Sequence, residues 1–327
     1  MSDKQNTRLC WVGLDTSNYT TSAAACTTDE SGEITVIANC KAPLPVAEGA
    51  RGLRQSDAVF AHVKNLPELM AELRPHLADK RILAVGYSAR PRQAEGSYMP
   101  CFLAGKAAAE SISATLGVPS FSFSHQDGHI TAALYSAGQM ALLEEQTPFA
   151  AFHVSGGTTE VLLVQPRENG LDVSLVGETS DLNAGQAIDR VGVMMGLSFP
   201  CGREMEALAA TSMKKLPSPR VSVKNGCCNL SGLQNLAEKL WRESGDRALV
   251  SAFVFSFLAR TLERMTEALD LAHPGLPILY AGGVMSNRYL QSRLSARGNT
   301  YFAEPVFSAD NAAGIALLCR AAYEKNA

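Results

Sequence analysis

Two of the six histidines in this 327-residue chain, His125 and His129, stand four residues apart in the stretch SHQDGHITAAL. On a helix that has already begun, residues i and i+4 share a face, so the pair suits two imidazole ligands on one metal ion. Neutral imidazole favours zinc or iron, and a carboxylate could complete such a site. Asp310, in FSADNAAG, stands just before a segment patterned as the last helix. It reads either as that helix's N-cap or as a third metal ligand. The bland alternative for the histidines is two unrelated polar residues at the mouth of a helix. A peptidase of the His-Glu-x-x-His type is excluded, because Gln126 stands where the glutamate would be and an amide cannot take a proton.

A second kind of chemistry is suggested by three small-residue turns. GLDTSNYTT and HVSGGTTEV each join an apolar strand to a hairpin, and YAGGVMSNR runs from a strand into Gly282-Gly283 with a helix starting near Asn287. Backbone N–H groups and hydroxyls in such turns can cradle phosphate oxygens. Glycines let a ligand approach the backbone, and a helix start favours an anion or a polar edge. Hairpins and helix starts need small residues in any case, so it is the recurrence of three such turns that carries the signal. NAGQAIDRVGVMMGLSFPCG adds Asp189, alone among apolar neighbours, and Gly202 in a Pro-Cys-Gly turn. Asp189 reads as a partner of Arg190 or a surface charge, or else as an acceptor for ribose hydroxyls.

The elements that must position these residues come in a repeated order. RLCWVGLDTS is a buried strand, followed by a hairpin turning at Glu30-Ser31-Gly32. Residues 57–77 carry helical apolar spacing, which Pro67 is expected to break or start. RILAVGYSA is a strand, CFLAGKAAAESISATLG a helix ending at Gly117, and PSFSF a strand. Then FAAFHVSGG opens the same series again: a hairpin turning at Glu168-Asn169-Gly170, and helices over 184–195, 203–213, 231–243 and 248–272. The series closes with the strand PILYAGG, a helix from Asn287, the strand TYFAE and a last helix from Ala309. The pattern predicts a duplicated α/β fold of two mixed sheets, with ligands in the cleft between the halves. The halves are expected at 1–124 and 125–308, with the final helix 309–327 packing back on the first.

Composition narrows the class. The chain is 46% hydrophobic and 19% charged, with a net charge of −3, so nothing global advertises nucleic-acid binding. The N-terminus has no apolar signal core, and no apolar run is long enough to span a bilayer. Eight scattered cysteines without a C-x-x-C pair suggest free, mostly buried thiols in a reducing cytoplasm. The adjacent Cys227 and Cys228 read as loop packing ahead of a redox pair.

The motifs GLDTS, HQDGH, VSGGTTE, GQAIDRVGVMMGLSFPCG, NLSGLQNLA, AGGVMSNRYL and ADNAAGIAL follow one another over nearly the whole chain. Together they resemble the TsaD family, formerly described as O-sialoglycoprotein endopeptidases. The resemblance implies the duplicated actin-like fold of the Hsp70 and sugar-kinase type, with an interdomain cleft. It implies an acyltransferase that moves a threonylcarbamoyl group from its adenylate to the adenosine beside the anticodon of tRNA. It also implies metal ligands His125, His129 and Asp310 for one divalent iron or zinc ion. Contacts to threonylcarbamoyl-AMP, or to an ATP- or ADP-like nucleotide, would come from His153, Val154, Ser155, Gly156, Gly157, Asp189, Gly202 and Asn287. Partners of the actin-like TsaB type and the ATPase TsaE type are implied with it.

The chain departs from the family where acid–base chemistry is expected. A Cys-Asp-Glu-Thr run is replaced by Asn18-Tyr19-Thr20-Thr21, so that Tyr19 and Thr20 stand in place of the acidic pair. A tyrosine is a poor base at neutral pH. Ser-Gly-Gly-His-Thr becomes Ser155-Gly156-Gly157-Thr158-Thr159, and a glycine- and proline-rich loop becomes RPRQAEGSYMP, with Arg90 and Arg92 at its start. That loop reads as solvated or as phosphate-binding. These changes point to a diverged paralogue and leave the catalytic residues unassigned. Two alternatives follow: transfer of a carbamoyl group to another acceptor, and a non-catalytic partner protein that binds nucleotide and metal.

Overall fold

The computed structural model describes residues 8–45, 53–168, 170–307 and 311–326. In chain order the first elements are β1 (Arg8–Thr16), β2 (Thr20–Thr28), β3 (Ile34–Pro43), α1 (Gln55–Leu77), β4 (Lys80–Arg90) and α2 (Phe102–Leu116). They are followed by β5 (Ser120–Ser124), α3 (His125–Ser136), the single turn α4 (Ala141–Glu144), β6 (Phe149–Val154), β7 (Thr159–Arg167) and β8 (Gly170–Glu178). Next come α5 (Ala184–Met194), α6 (Gly202–Ala210), β9 (Ser222–Lys224), β10 (Cys227–Asn229), α7 (Ser231–Ser244) and α8 (Arg247–Ala272). β11 (Ile278–Ala281), α9 (Arg288–Leu294), β12 (Thr300–Phe302) and α10 (Ala313–Asn326) complete the chain. It divides into two compact units. The first takes Met1–Thr147, Gln165–Asp172 and Val306–Ala327; the second takes Pro148–Val164 and Val173–Pro305.

The two main sheets have one topology. The first runs β3-β2-β1-β4-β5 and the second β8-β7-β6-β11-β12. In each, the leading strand pairs antiparallel with the hairpin that follows it and parallel with a strand reached through helices. The duplication read from the sequence is therefore one of strand order as well as of pattern. β1 is buried from Cys10 to Thr16 on both faces, as a central strand between helices must be.

In the first unit, backbone contact decides the packing. Gly13 and Gly86 are register partners on β1 and β4. A Cβ on Gly13 would lie 2.3 Å from the Ala316 nitrogen, and one on Gly86 would lie 2.8 Å from the Cys319 Cβ. The two glycines form a notch that seats α10 directly on the sheet. On the far side of α10, a Cβ on Gly314 would lie 1.8 Å from the Gly128 carbonyl oxygen in α3. This contact places α3 in the first unit. The boundary accordingly follows Thr147, where the sequence reading starts the second half at His125.

Pro67 does not break its helix. α1 runs unbroken through Pro67 and Pro75 and buries Ala58, His62, Leu66, Leu69 and Leu73 along one face. The carbonyl that Pro67 leaves without an N–H partner belongs to Val63, a residue 59% exposed, where water can take it. The segment before α7 also holds a two-stranded hairpin, β9–β10, that the sequence reading does not contain. Its turn is Asn225-Gly226, both at positive φ, the pair a tight hairpin turn demands.

Candidate metal and nucleotide sites

The metal candidates belong to the first unit. Helix α3 begins at His125 because Ser124 caps it: Ser124 Oγ accepts the Asp127 N–H at 3.1 Å, and Asp127 Oδ2 accepts the Ser124 N–H at 3.0 Å. The helix has thus begun when the first histidine is reached, and His129 lies one turn on, on the same face. The two Nε2 atoms are 3.0 Å apart and the rings meet edge to face at 4.4 Å. Such a nitrogen spacing fits two bonds of about 2.0–2.1 Å to a single zinc ion. Among the described residues no group of three His, Cys, Asp or Glu side chains forms a metal cluster. Asp310, the third ligand implied by the resemblance, lies outside the described residues.

A carboxylate whose partner no local pattern announces stands behind the first histidine. Asp15, at the end of β1 and 1% exposed, faces His125 Nδ1 with Oδ2 at 2.9 Å. Its Oδ1 accepts a short hydrogen bond from Ser88 Oγ of β4, itself fully buried. The available signal was a carboxylate inside an apolar strand, which must be paired to be buried. Asp127 is also buried: burial pushes its carboxyl above the usual range, against the Ser124 and Gln93 hydrogen bonds that pull it down. The loop from Arg90 is tied to this helix start, since Pro91 O accepts the Gln126 N–H at 3.0 Å and Gln93 Nε2 donates to Asp127 Oδ2 at 3.3 Å. Arg92 is exposed.

Both sheets close the turn after their first strand in the same way. The Ser17 N–H donates to Thr20 O at 3.1 Å, while Ser17 Oγ accepts the Thr20 N–H at 3.2 Å. The Ser155 N–H donates to Thr158 O at 2.7 Å, while Ser155 Oγ accepts the N–H groups of Gly157 and Thr158 at 3.2 and 3.1 Å. These amide hydrogens hold the turn. In the first turn, Tyr19 is 49% exposed and Thr20 opens β2. Asn18 bonds Gln55, and Thr21 Oγ1 lies 2.8 Å from Nδ1 of the fully buried His62. Burial lowers the pKa of His62, against the hydrogen bond that Nε2 donates to Ser17 O at 2.8 Å, which raises it.

The nucleotide candidates belong to the second unit. Gly156, Asp189, Gly202 and Asn287 converge on one cavity of about 430 Å³, together with Gly185, Glu206, Phe255 and Ser286. Of the turn His153–Gly157, Gly156 stands in that wall. His153 instead faces Glu160, with Nδ1 3.8 Å from Oε1, and Val154 is fully buried. Gly282, at φ +98°, is required there, since a Cβ would lie 2.3 Å from Val154 O. Gly185 lets the start of α5 press on Gly156 and donates its N–H to Ser155 O at 3.0 Å. Side chains added at Gly156, Gly202 or Gly283 would meet nothing within 4 Å, so the backbone there is open to a ligand.

Asp189 does not pair with Arg190, which reaches Gln234. Its Oδ1 accepts the Cys201 N–H at 2.8 Å and holds the Pro200–Gly202 turn against the cavity. Asn287 caps α9, with Oδ1 accepting the Leu290 N–H at 3.0 Å, while its buried Nδ2 has no hydrogen-bond partner among the described residues. A larger lobe of about 710 Å³ shares Arg203, Glu206, Phe255, Ser286 and Asn287 and adds Lys214, Arg288 and Tyr289. An orphaned amide donor, open glycine backbone, a carboxylate and basic side chains form a donor set suited to a nucleotide.

A family model described as TsaD, tRNA N6-adenosine threonylcarbamoyltransferase, matches residues 50–317. A tRNA N6-adenosine threonylcarbamoyltransferase of Aromatoleum aromaticum is 30% identical over 274 residues, 78% of this chain and 75% of that protein. Among solved structures, full-length HypF in its phosphate- and nucleotide-bound form superposes with a TM-score of 0.60 at 12% identity, over 98% of this chain and 56% of that one. A xyloylose kinase from Brucella ovis superposes with a TM-score of 0.55 at 12% identity, over 96% and 90%. At these identities the two structures speak to fold alone, and that fold is the duplicated actin-like α/β architecture.

Proposed function

The chain belongs to the TsaD family of tRNA N6-adenosine threonylcarbamoyltransferases, and from that premise we propose that it transfers a threonylcarbamoyl group from its adenylate to adenosine in tRNA. The observation that carries this reading is the convergence of Gly156, Asp189, Gly202 and the orphaned Asn287 amide on one cavity. In it, Asn287 Nδ2 donates to an acceptor atom of the nucleotide. Asp189, with Oδ1 engaged by Cys201, offers Oδ2 to a ribose hydroxyl. Gly156 and Gly202 let the nucleotide lie against the backbone.

His125 and His129 are the residues that would hold the family's metal, with Asp310 as the third ligand. When bound, the metal would polarise the carbamoyl carbonyl as a Lewis acid. In the reaction the adenosine amine bonds to the carbamoyl carbon. The bond from that carbon to the phosphate oxygen breaks, AMP leaves with the electron pair, and the amine loses a proton to a base. The Asn18–Thr21 turn supplies no carboxylate for that proton.

This last point favours a second reading, transfer to another acceptor, and a third, a partner protein that binds nucleotide and metal without turnover. Both receive support from the way Asn18 and Thr21 are locked to Gln55 and His62. The test is reconstitution. The purified chain, with TsaB- and TsaE-type proteins, iron or zinc, threonylcarbamoyl adenylate and unmodified tRNA, should yield threonylcarbamoyladenosine by nucleoside mass spectrometry. No modified nucleoside, with AMP released only when a different amine or alcohol is added, selects the second reading. Nucleotide binding without AMP release under any condition selects the third.

A further inference from the structure

The Ser88–Asp15–His125–His129 line crosses three elements of the first unit, β4, β1 and α3, and the proposed transfer uses only its two histidines. We infer that Asp15, held by Ser88, is a positioning residue that sets the tautomer and ring orientation of His125 for metal loading. The inference rests on the reading of His125 and His129 as metal ligands.

The physical case starts from proton placement. A carboxylate only accepts, so the hydrogen between Asp15 Oδ2 and His125 Nδ1, 2.9 Å apart, lies on the nitrogen. A neutral His125 then carries its lone pair on Nε2, the atom that faces His129 Nε2 at 3.0 Å. Ligation needs that lone pair on the shared side of both rings. Asp15 cannot swing away from His125. It is 1% exposed, and its second oxygen accepts from Ser88 Oγ, which is fully buried. Phe102 lies against the ring, with centroids 6.0 Å apart, and limits its rotation. A carboxylate behind a ligating histidine raises ligand basicity and fixes the ring, and its loss typically weakens metal binding about 10–100-fold.

The position also explains the strand. Asp15 sits at the C-terminal end of a β1 that is otherwise apolar from Trp11 to Leu14, and these partners compensate its burial. GLDTS thus contributes to the metal candidates through its aspartate, whereas its serine closes the turn.

The test uses the full chain and zinc as the probe. In the metal-free protein, nitrogen NMR of the imidazoles should show His125 protonated on Nδ1. Asp15→Asn keeps the side-chain size but presents an amide that can donate to Nδ1. The proton should then move to Nε2, and zinc affinity, measured by competition with a chelating dye, should fall about 10–100-fold. Ser88→Ala keeps the carboxylate but frees it, and should weaken zinc about tenfold. Ser88→Thr, which restores the hydroxyl, should recover most of that loss. If Asp15→Asn does not fold, the wild-type tautomer and the Ser88 pair decide. A wild-type His125 protonated on Nε2, or zinc binding unchanged in the folded variants, overturns the positioning role. A wild type that takes up no zinc instead overturns the metal-site reading itself.

Discussion

Asn287 caps a helix with one end of its side chain, and the other end is proposed to meet the ligand. Its carbonyl oxygen caps α9, and its amide group is left buried without a partner among the described residues. A buried donor without a partner costs roughly 1–3 kcal/mol, which a ligand acceptor would recover on binding. Asn287→Asp keeps the cap and removes the donor. It should weaken adenine-nucleotide binding about tenfold, a change of about 1.4 kcal/mol, with the melting temperature preserved. Calorimetric titration checks this, and equal affinity would take the amide out of the site. The residue was visible in the sequence as the polar end of AGGVMSNR. Its unsatisfied amide was not, because hydrogen-bond satisfaction depends on what the rest of the unit brings near it. Asp15 is the converse case: its type was in plain view in GLDTS, but its partners come from 73 and 110 residues away.

At the scale of elements, helix starts and turns were largely legible, and tertiary seating was not. The capping box of α3 is written in Ser124 and Asp127, so its start at the first histidine follows from local chemistry. The passage of α1 through Pro67 depends instead on a buried face whose contacts outweigh one missing hydrogen bond. α7 is held in a similar way by a distant residue. Asp181 accepts the N–H groups of Leu230 and Ser231 at 2.8 and 3.1 Å and the Ser231 hydroxyl at 2.5 Å. Burial would raise its carboxyl, but these hydrogen bonds outweigh that and hold it at about 2. A carboxyl lowered on folding stabilises above its unfolded value of about 4, and that stability is lost as pH falls through the folded value. Asp181→Ala should therefore melt several degrees below wild type at pH 7, with the gap closing between about pH 4 and about pH 2. Melting curves across that range decide it; a gap that stays constant would mean the carboxylate charge is not what holds α7.

At the scale of the whole molecule, eight cysteines are free, seven of them buried and Cys227 half-buried. Burial pushes the thiols of Cys101 and Cys228 to about 11, and that of Cys10 to about 12. A thiolate is the reactive form, so the folded chain should titrate about one thiol with a disulfide reagent at pH 8, and all eight in denaturant. Several fast-reacting thiols in the folded chain would contradict the packing of both units. The duplicated strand order is also a property of the whole. It was readable because each half repeats the same alternation of apolar strands, hairpins and amphipathic helices. The unit boundary was not, because α3 joins the first unit through a glycine contact with the far end of the chain.

By itself the sequence determined the class of fold, the turns after the leading strands and the residue types on offer, since these rest on local periodicity, caps and glycines. Only the tertiary structure decided which of those residues meet. It gathered Gly156, Asp189, Gly202 and Asn287 at one cavity, turned the amide hydrogens of Ser155, Gly157 and Thr158 inward and set Asp15 behind His125. The physical reason is that burial and pairing are satisfied by neighbours distant in the chain, and no local pattern records them.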